Sequence, residues 1–277
     1  MADWSGSHID TTVTWPTSED VRIYDLAVQL RPGMTRHPAH PPYSFALSKL
    51  HGQHNYPGGI SSSMETFTTG GHVGTHVDAL GHIAKDGKVY GDRDISEHQS
   101  WTEGLSAGSA EEVPPLFGRG HLIDAVELFG RDLTPADGIG PDELERWFAD
   151  KEMPGPGSIV LVRTGWMRHF DDLDRYTGLV DDGIPGVNRA GAEWLSARGI
   201  MAAGSDTVNF EHKPGMAIVS LQVHVHFLVE KGIYILESLN LEEIASAGVH
   251  DFTFLALPLR IRGATGSPLR PVAIVPR

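Results

Sequence analysis

Ser158-Ile159-Val160-Leu161-Val162-Arg163 is a near-continuous apolar run, of a kind found in central strands covered on both faces. Helical patterns flank it. Gly140-Pro141 opens a segment in which Leu144, Trp147 and Phe148 share one face, with proline at the first helical position. A second helix is expected over Val187 to Arg198, stopped by Gly199. Further strands are expected at 21–26, 61–68, 120–125, 200–203, 217–223, 233–236, 252–259 and 272–275. Asn240-Leu241-Glu242-Glu243 has the form of a helix start, with Asn capping. Strands outnumber helices and the two are interspersed, so a single α/β domain with a substantial sheet is predicted over residues 21–277. Residues 1–20 are polar and read as an N-terminal arm.

The bulk numbers agree with one folded domain. The 277 residues are 40% hydrophobic and 21% charged, enough to build a large core and too apolar for wholesale disorder. The net charge of −14 disfavours a nucleic-acid partner, because an anionic surface repels phosphate. Cysteine is absent, which removes disulfides and thiolate catalysis. The first residues lack a basic start followed by an apolar core, and no run approaches the roughly 18–20 apolar residues a membrane span needs. A cytoplasmic location is the expectation.

The chemistry concentrates in Gly71-His72-Val73-Gly74-Thr75-His76-Val77-Asp78-Ala79-Leu80-Gly81-His82. A helix through this stretch is disfavoured by its glycines and β-branched residues. It would also turn Asp78 about 200° away from His76, at roughly 100° per residue. A straight strand would set His72 and His76 about 13 Å apart, at roughly 3.3 Å per residue. A bend at Gly74 removes the difficulty, so the stretch is predicted to be a loop running into a strand, with His76 and Asp78 on the same side. His72, His76 and Asp78 form a donor set suited to a divalent ion such as Zn²⁺ or Mn²⁺. Such an ion activates water and polarises a carbonyl, while His82 is placed to move protons.

A second group is Gln222-Val223-His224-Val225-His226, whose alternation puts Gln222, His224 and His226 on one face of a strand. Glu237 ends the apolar run Ile233 to Leu236, where a buried acid needs a partner or a metal. His37, His40, His51 and His54 lie in or just after a proline-rich loop, where a surface or loop role is the default. Arg163, Arg168, His212 and Trp101 are possible substrate contacts, with surface or core roles as the alternative. The thirty residues after Lys85-Asp86-Gly87-Lys88 are rich in Gly, Ser and Pro and read as a long excursion, of a kind more often functional than accidental.

His72-x-Gly74-Thr75-His76-x-Asp78-x-x-x-His82 resembles the signature of the metal-dependent cyclase-like hydrolase family, which includes kynurenine formamidases, isatin hydrolases and trans-dienelactone hydrolases. The resemblance extends over residues 21–276, through Ile23-Tyr24-Asp25-Leu26, the 158–166 segment, Ala203 to Thr207, Gly232 to Leu239 and Gly263 to Ser267. It implies a compact α/β domain with a swivelling β/β/α core and mixed sheet, a homodimer or homotetramer, and a small-molecule substrate. It also implies His72, His76 and Asp78 as metal ligands and His82 as the catalytic histidine. Formamidase-type members hold a second metal with a later His and Glu, for which His224 and Glu237 fit. Isatin hydrolase-type members use one metal with a glutamine as added ligand, for which Gln222 is placed. The presence of Gln222 and the chain length favour the second type, with one Mn²⁺ or Zn²⁺ and a second ion as the alternative. The expected reaction is hydrolysis of a cyclic amide, lactone or N-acyl amide. Ala79-Leu80-Gly81 departs from the family's frequent proline or aromatic variants.

Three rival readings remain. Gly104-Leu105-Ser106-Ala107-Gly108 satisfies the serine-hydrolase pattern, but polar residues precede it and Pro114-Pro115 follows, so the strand–elbow–helix context is missing. A non-catalytic metal-binding protein leaves His82 without a role. A lyase or dehydratase would use the ion to stabilise an enolate.

Overall fold

Alternation along the 158–163 run divides the molecule into two apolar layers. Val160 and Val162 join Leu144, Trp147, Leu195, Phe227 and Leu228 in one. Ile159 and Leu161 join Leu122, Leu236, Phe252 and Phe254 in the other. The strand is buried on both faces, as its sequence predicts.

The computed structural model describes residues 20–180, 183–215 and 221–277. The polar arm predicted over residues 1–20 therefore lies almost entirely outside the described residues. The main elements are β1 (Val21–Asp25), β2 (Ser44–Lys49), β3 (Met64–Thr68), β4 (His76–Asp78), β5 (Leu116–Asp124), α1 (Pro141–Trp147), β6 (Ile159–Arg163), α2 (Arg189–Ser196), β7 (Ala202–Ser205), β8 (Tyr234–Glu237), α3 (Glu242–Ser246), β9 (Asp251–Ala256), β10 (Gly266–Pro268) and β11 (Val272–Pro276). Nine of these strands form one mixed sheet in the order β1-β11-β9-β5-β6-β7-β8-β4-β10. Its centre, β5-β6-β7-β8, is parallel, and antiparallel strands continue it on both sides. The fold is the expected α/β domain with a mixed sheet.

Local chemistry explains the helix boundaries. Pro141 opens α1, and the Glu143 carboxylate accepts the Gly140 N–H at 3.0 Å. The Asn188 side chain caps α2 by accepting the Gly191 N–H at 2.9 Å.

One predicted strand is wrong. Residues 217–220 lie outside the described residues, and Gln222–His224 form an α turn that continues as a π-helix over Val225–Lys231. Helical spacing wins because Phe227 and Leu228 then face the core, and Gly232, at φ 67°, ends the helix in the left-handed conformation. Among the described residues, no helix is long and apolar enough to cross a membrane.

Candidate metal centre and adjoining cavity

The site grows from the pairing of two short strands. Val28, Leu30 and Met34 close around Gly74, whose φ of 69° supplies the bend expected between His72 and His76. β4 follows, and its two-residue period puts His76 and Asp78 on one face while Val77 enters the core. Antiparallel register sets Glu237 directly opposite His76. On the other edge, β10 brings Gly266 opposite Asp78. A Cβ on Gly266 would come within 2.6 Å of the His72 ring, so glycine there makes room for the imidazole.

These side chains are buried and close. His76 Nε2 lies 3.5 Å from Asp78 Oδ1 and 3.5 Å from Glu237 Oε2. His224 Nε2 lies 3.1 Å from Glu237 Oε1 and 3.8 Å from Asp78 Oδ2. Ligand atoms of Asp78, His224 and Glu237 all fall within 4.8 Å of one another, and so do those of His72, Asp78 and His82. Asp78 belongs to both groups.

Outer contacts fix which nitrogen of each ring faces inward. His76 Nδ1 donates to the Gly74 carbonyl at 2.8 Å, leaving Nε2 for the centre. The Glu211 carboxylate lies 3.3 Å from His224 Nδ1 and accepts the backbone N–H groups of Val223 and His224 at 2.7 and 3.2 Å. His72 has both nitrogens engaged, Nδ1 with Asp78 Oδ1 at 2.7 Å and Nε2 with Thr265 Oγ1 at 2.9 Å. Thr75 Oγ1 donates to the Ser238 carbonyl at 2.7 Å and accepts the Val28 N–H at 2.9 Å, tying the histidine bend to the end of β8.

The donor set fits a cation. His76 Nε2 and Asp78 Oδ2 are buried without a hydrogen-bond partner, and a buried orphan is costly unless something binds it. Burial opposes charge on His76 and His224. The flanking carboxylates outweigh it, Asp78 and Glu237 each 3.5 Å from His76 Nε2, Glu211 and Glu237 hydrogen-bonded to His224, and raise each ring to about 10. The cluster thus demands positive charge, whether from protons or from a metal ion. His76, Asp78, His224 and Glu237 would hold one ion, and His72, hydrogen-bonded to Asp78, would extend the set.

His82 differs from its neighbours. Burial pushes its pKa down to about 4, against the pull of Asp78, so the ring is neutral at neutral pH. It packs against His72 with ring centroids 4.0 Å apart and lines a cavity of about 230 Å³. His37, His40, Asn209, Lys213, His224 and Glu237 also contribute to the walls. His40 stacks on His72 at 5.2 Å, so the proline-rich loop forms one wall.

Several residues fall elsewhere than expected. Gln222 is exposed on the first turn of the helix, and its carbonyl accepts from Arg189 at 3.2 Å. Its expected ligand role relied on strand alternation, and the helical turn leaves its side chain exposed. His226 turns away from the centre, to Ser196 Oγ at 2.8 Å and Glu230 at 2.9 Å. Arg163 is paired with Asp124 and Glu242, Arg168 donates to the Gly165 carbonyl, and His212 meets the Pro135 carbonyl. Trp101 is fully exposed. None of these four lines the cavity beside His82. Ser106 Oγ is 3.1 Å from His98 Nδ1, but it sits exposed after a two-residue strand, with no buried elbow.

Glu211, Thr265, Asn209 and Lys213 were not anticipated. Thr265 falls within the Gly263 to Ser267 stretch of the resemblance and Asn209, Glu211 and Lys213 alternate within five residues, but sequence alone gives none of them a role. A further signal was the acid–histidine–lysine order of Glu211-His212-Lys213.

Residues 24–212 match the model of the "Putative cyclase" family. The chain belongs to this family. Kynurenine formamidase of Bacillus cereus is 27% identical over 90% of this chain and 95% of its own length. Isatin hydrolase of Roseibium aggregatum is 28% identical over 75% of this chain and 73% of its own. A solved structure described as a novel cyclase superposes with a TM-score of 0.82 at 27% identity, covering 91% of this chain and 86% of that one. Two of these relatives thus carry the names of hydrolytic enzymes, and the mixed sheet is the family's fold.

Proposed function

We propose that this cyclase-family protein is a metal-dependent hydrolase that opens a small cyclic amide or lactone or cleaves an N-acyl amide. The observation that carries this reading is the pair of orphaned buried atoms, His76 Nε2 and Asp78 Oδ2, beside a neutral histidine that faces a cavity. A divalent ion held there supplies Lewis acidity toward the carbonyl oxygen and makes water a better nucleophile at neutral pH. His82 takes the proton of the attacking water and returns it to the departing nitrogen or oxygen, a role suited to its neutral resting form. Half-buried His40 and Ile83 and buried Val208 line the cavity and limit competing solvent.

The donor set also bears on the branch within the family. Exposure of Gln222 removes support for the glutamine-assisted, one-metal arrangement. The convergence of His224 and Glu237 on Asp78 supports the arylformamidase-like alternative, in which a later His and Glu serve a second ion. Zn²⁺ and Mn²⁺ both suit histidine and carboxylate ligands.

The test is a screen of isatin, N-formylkynurenine, dienelactones and acyl-homoserine lactones with Zn²⁺- or Mn²⁺-loaded protein. Turnover with solvent oxygen-18 entering the product is expected, disappearing on chelation and in Asp78→Ala. Activity that survived metal stripping but died in Ser106→Ala would overturn the reading.

A further inference from the structure

The cavity beside His82 contains a cation that makes no salt bridge among the described residues, though Glu237 and Glu211 act on it through space. Lys213 is half-buried in its wall. Among the described residues, no hydrogen bond or ion pair involves its ammonium group. The nearby carboxylates are engaged elsewhere. Glu237 accepts the Phe210 N–H at 3.0 Å and faces His224 and His76. Glu211 serves the Val223 and His224 amides.

The lysine is also held in place. Its N–H and C=O exchange hydrogen bonds with Ile184 at 3.0 and 2.9 Å. The next residue back, His212, donates its N–H to the Val187 carbonyl at 2.9 Å and places its ring on the Pro135 carbonyl at 2.8 Å. Gly183 lies so close that a Cβ there would sit 2.0 Å from the Lys213 carbonyl oxygen. A lysine on so fixed a backbone, partly desolvated and unpaired, costs folding free energy unless a ligand uses it. A surface of net charge −14 gives such a cation ample chance to pair, which makes its unpaired state informative.

We propose that Lys213 is a substrate-binding residue, and that the substrate is a small acyl compound carrying an anionic group, a carboxylate above all, which Lys213 holds in the cavity beside His82. The volume of about 230 Å³ lies below the roughly 300–1,000 Å³ of sites for drug-sized ligands, so the molecule is small. Lysine acts as a point charge with three donors and sets the distance of the anion without dictating its plane. Asn209 and His37 line the same wall and add neutral polar groups beside the ammonium. This inference rests on the hydrolase reading for the word substrate, but anion binding is measurable without turnover.

The experiment compares benzoate with its neutral isostere benzamide by calorimetry at pH 7, using the metal-loaded full-length protein, Lys213→Met and Lys213→Arg. Thermal melts verify that each variant folds. A charge-assisted hydrogen bond in a partly buried site corresponds to about tenfold or more in affinity. Wild type is expected to prefer benzoate by at least that factor, Lys213→Met to bind the two within about twofold, and Lys213→Arg to keep most of the preference. An undiminished preference in Lys213→Met would show that the metal, not the lysine, takes the carboxylate, and would overturn the proposal. Equal binding of both probes by wild type would overturn it too. A preference lost in Lys213→Met, together with no turnover of any screened substrate, would sink the hydrolase reading and leave the anion site standing.

Discussion

The two walls of the cavity are built on opposite principles. On the β4–β8 side, polar atoms have assigned outer partners: Gly74 holds His76, Glu211 holds His224, Thr265 holds His72. On the facing side, His37, His40 and Lys213 present polar groups with few such ties. A metal centre needs its donors fixed before the ion arrives, because each freedom left in a ligand must be lost on binding. A wall that receives changing substrates needs groups still free to bond. The difference separates chemistry from recognition within a few ångströms.

That contrast can be broken at several points. The largest effect is expected from His82→Ala, which removes the proton carrier and spares the fixed donors around Asp78 and Glu237. Turnover should fall by about 10²–10⁴, the range for a positioned acid–base group, with metal content by atomic absorption kept near that of wild type. Near-normal kcat would place proton transfer elsewhere. Next in size is Glu211→Ala, which frees the His224 ring and leaves two backbone N–H groups without their carboxylate. Metal affinity should drop about 10–100-fold, as read by competition with a chromogenic chelator. An unchanged affinity would mean that the rigid wall does not depend on its outer contacts.

The smallest effect concerns pH and the outer side of the same helix. His226 and Arg189 hydrogen-bond Glu230 and lower its pKa to about 2. A carboxylate whose folded pKa lies below the ordinary value near 4.5 adds stability that is complete above that value and is lost as pH falls toward 2. The melting temperature of Glu230→Gln should therefore lie slightly below wild type at pH 7, and the gap should close between about pH 4.5 and 2. A gap constant over that range would assign the effect to packing.

Much of the fold was legible because it depends on periodicity. The 158–163 run declared a strand covered twice, Pro141 marks its helix start by local chemistry, and the helix expected over Val187 to Arg198 is found, shorter, at Arg189–Ser196. The bend at Gly74 and the shared face of His76 and Asp78 followed from spacing alone. The segment from Gln222 to His226 misled because five residues alternate like a strand, while the helical signal lies farther on, in Phe227, Leu228 and the Gly232 stop. Gln222 therefore suggested a ligand that the helix turns outward. Glu211, Thr265 and Lys213 were illegible for a different reason. Their surroundings are supplied by other segments of the chain, and no local pattern marks a residue whose meaning is set by tertiary contact.

The π-helix of Val225–Lys231 has a consequence for how such a site can change over generations. A π turn contains one more residue than an α turn closing the same span. Loss of a single codon within it would let the segment tighten and swing the preceding histidine by about 100°, the angle one residue subtends on a helix. A mutation that touches no donor could thus trade His224 for a neighbour in the inner coordination set. The inventory of ligands is then heritable through length as well as through letters.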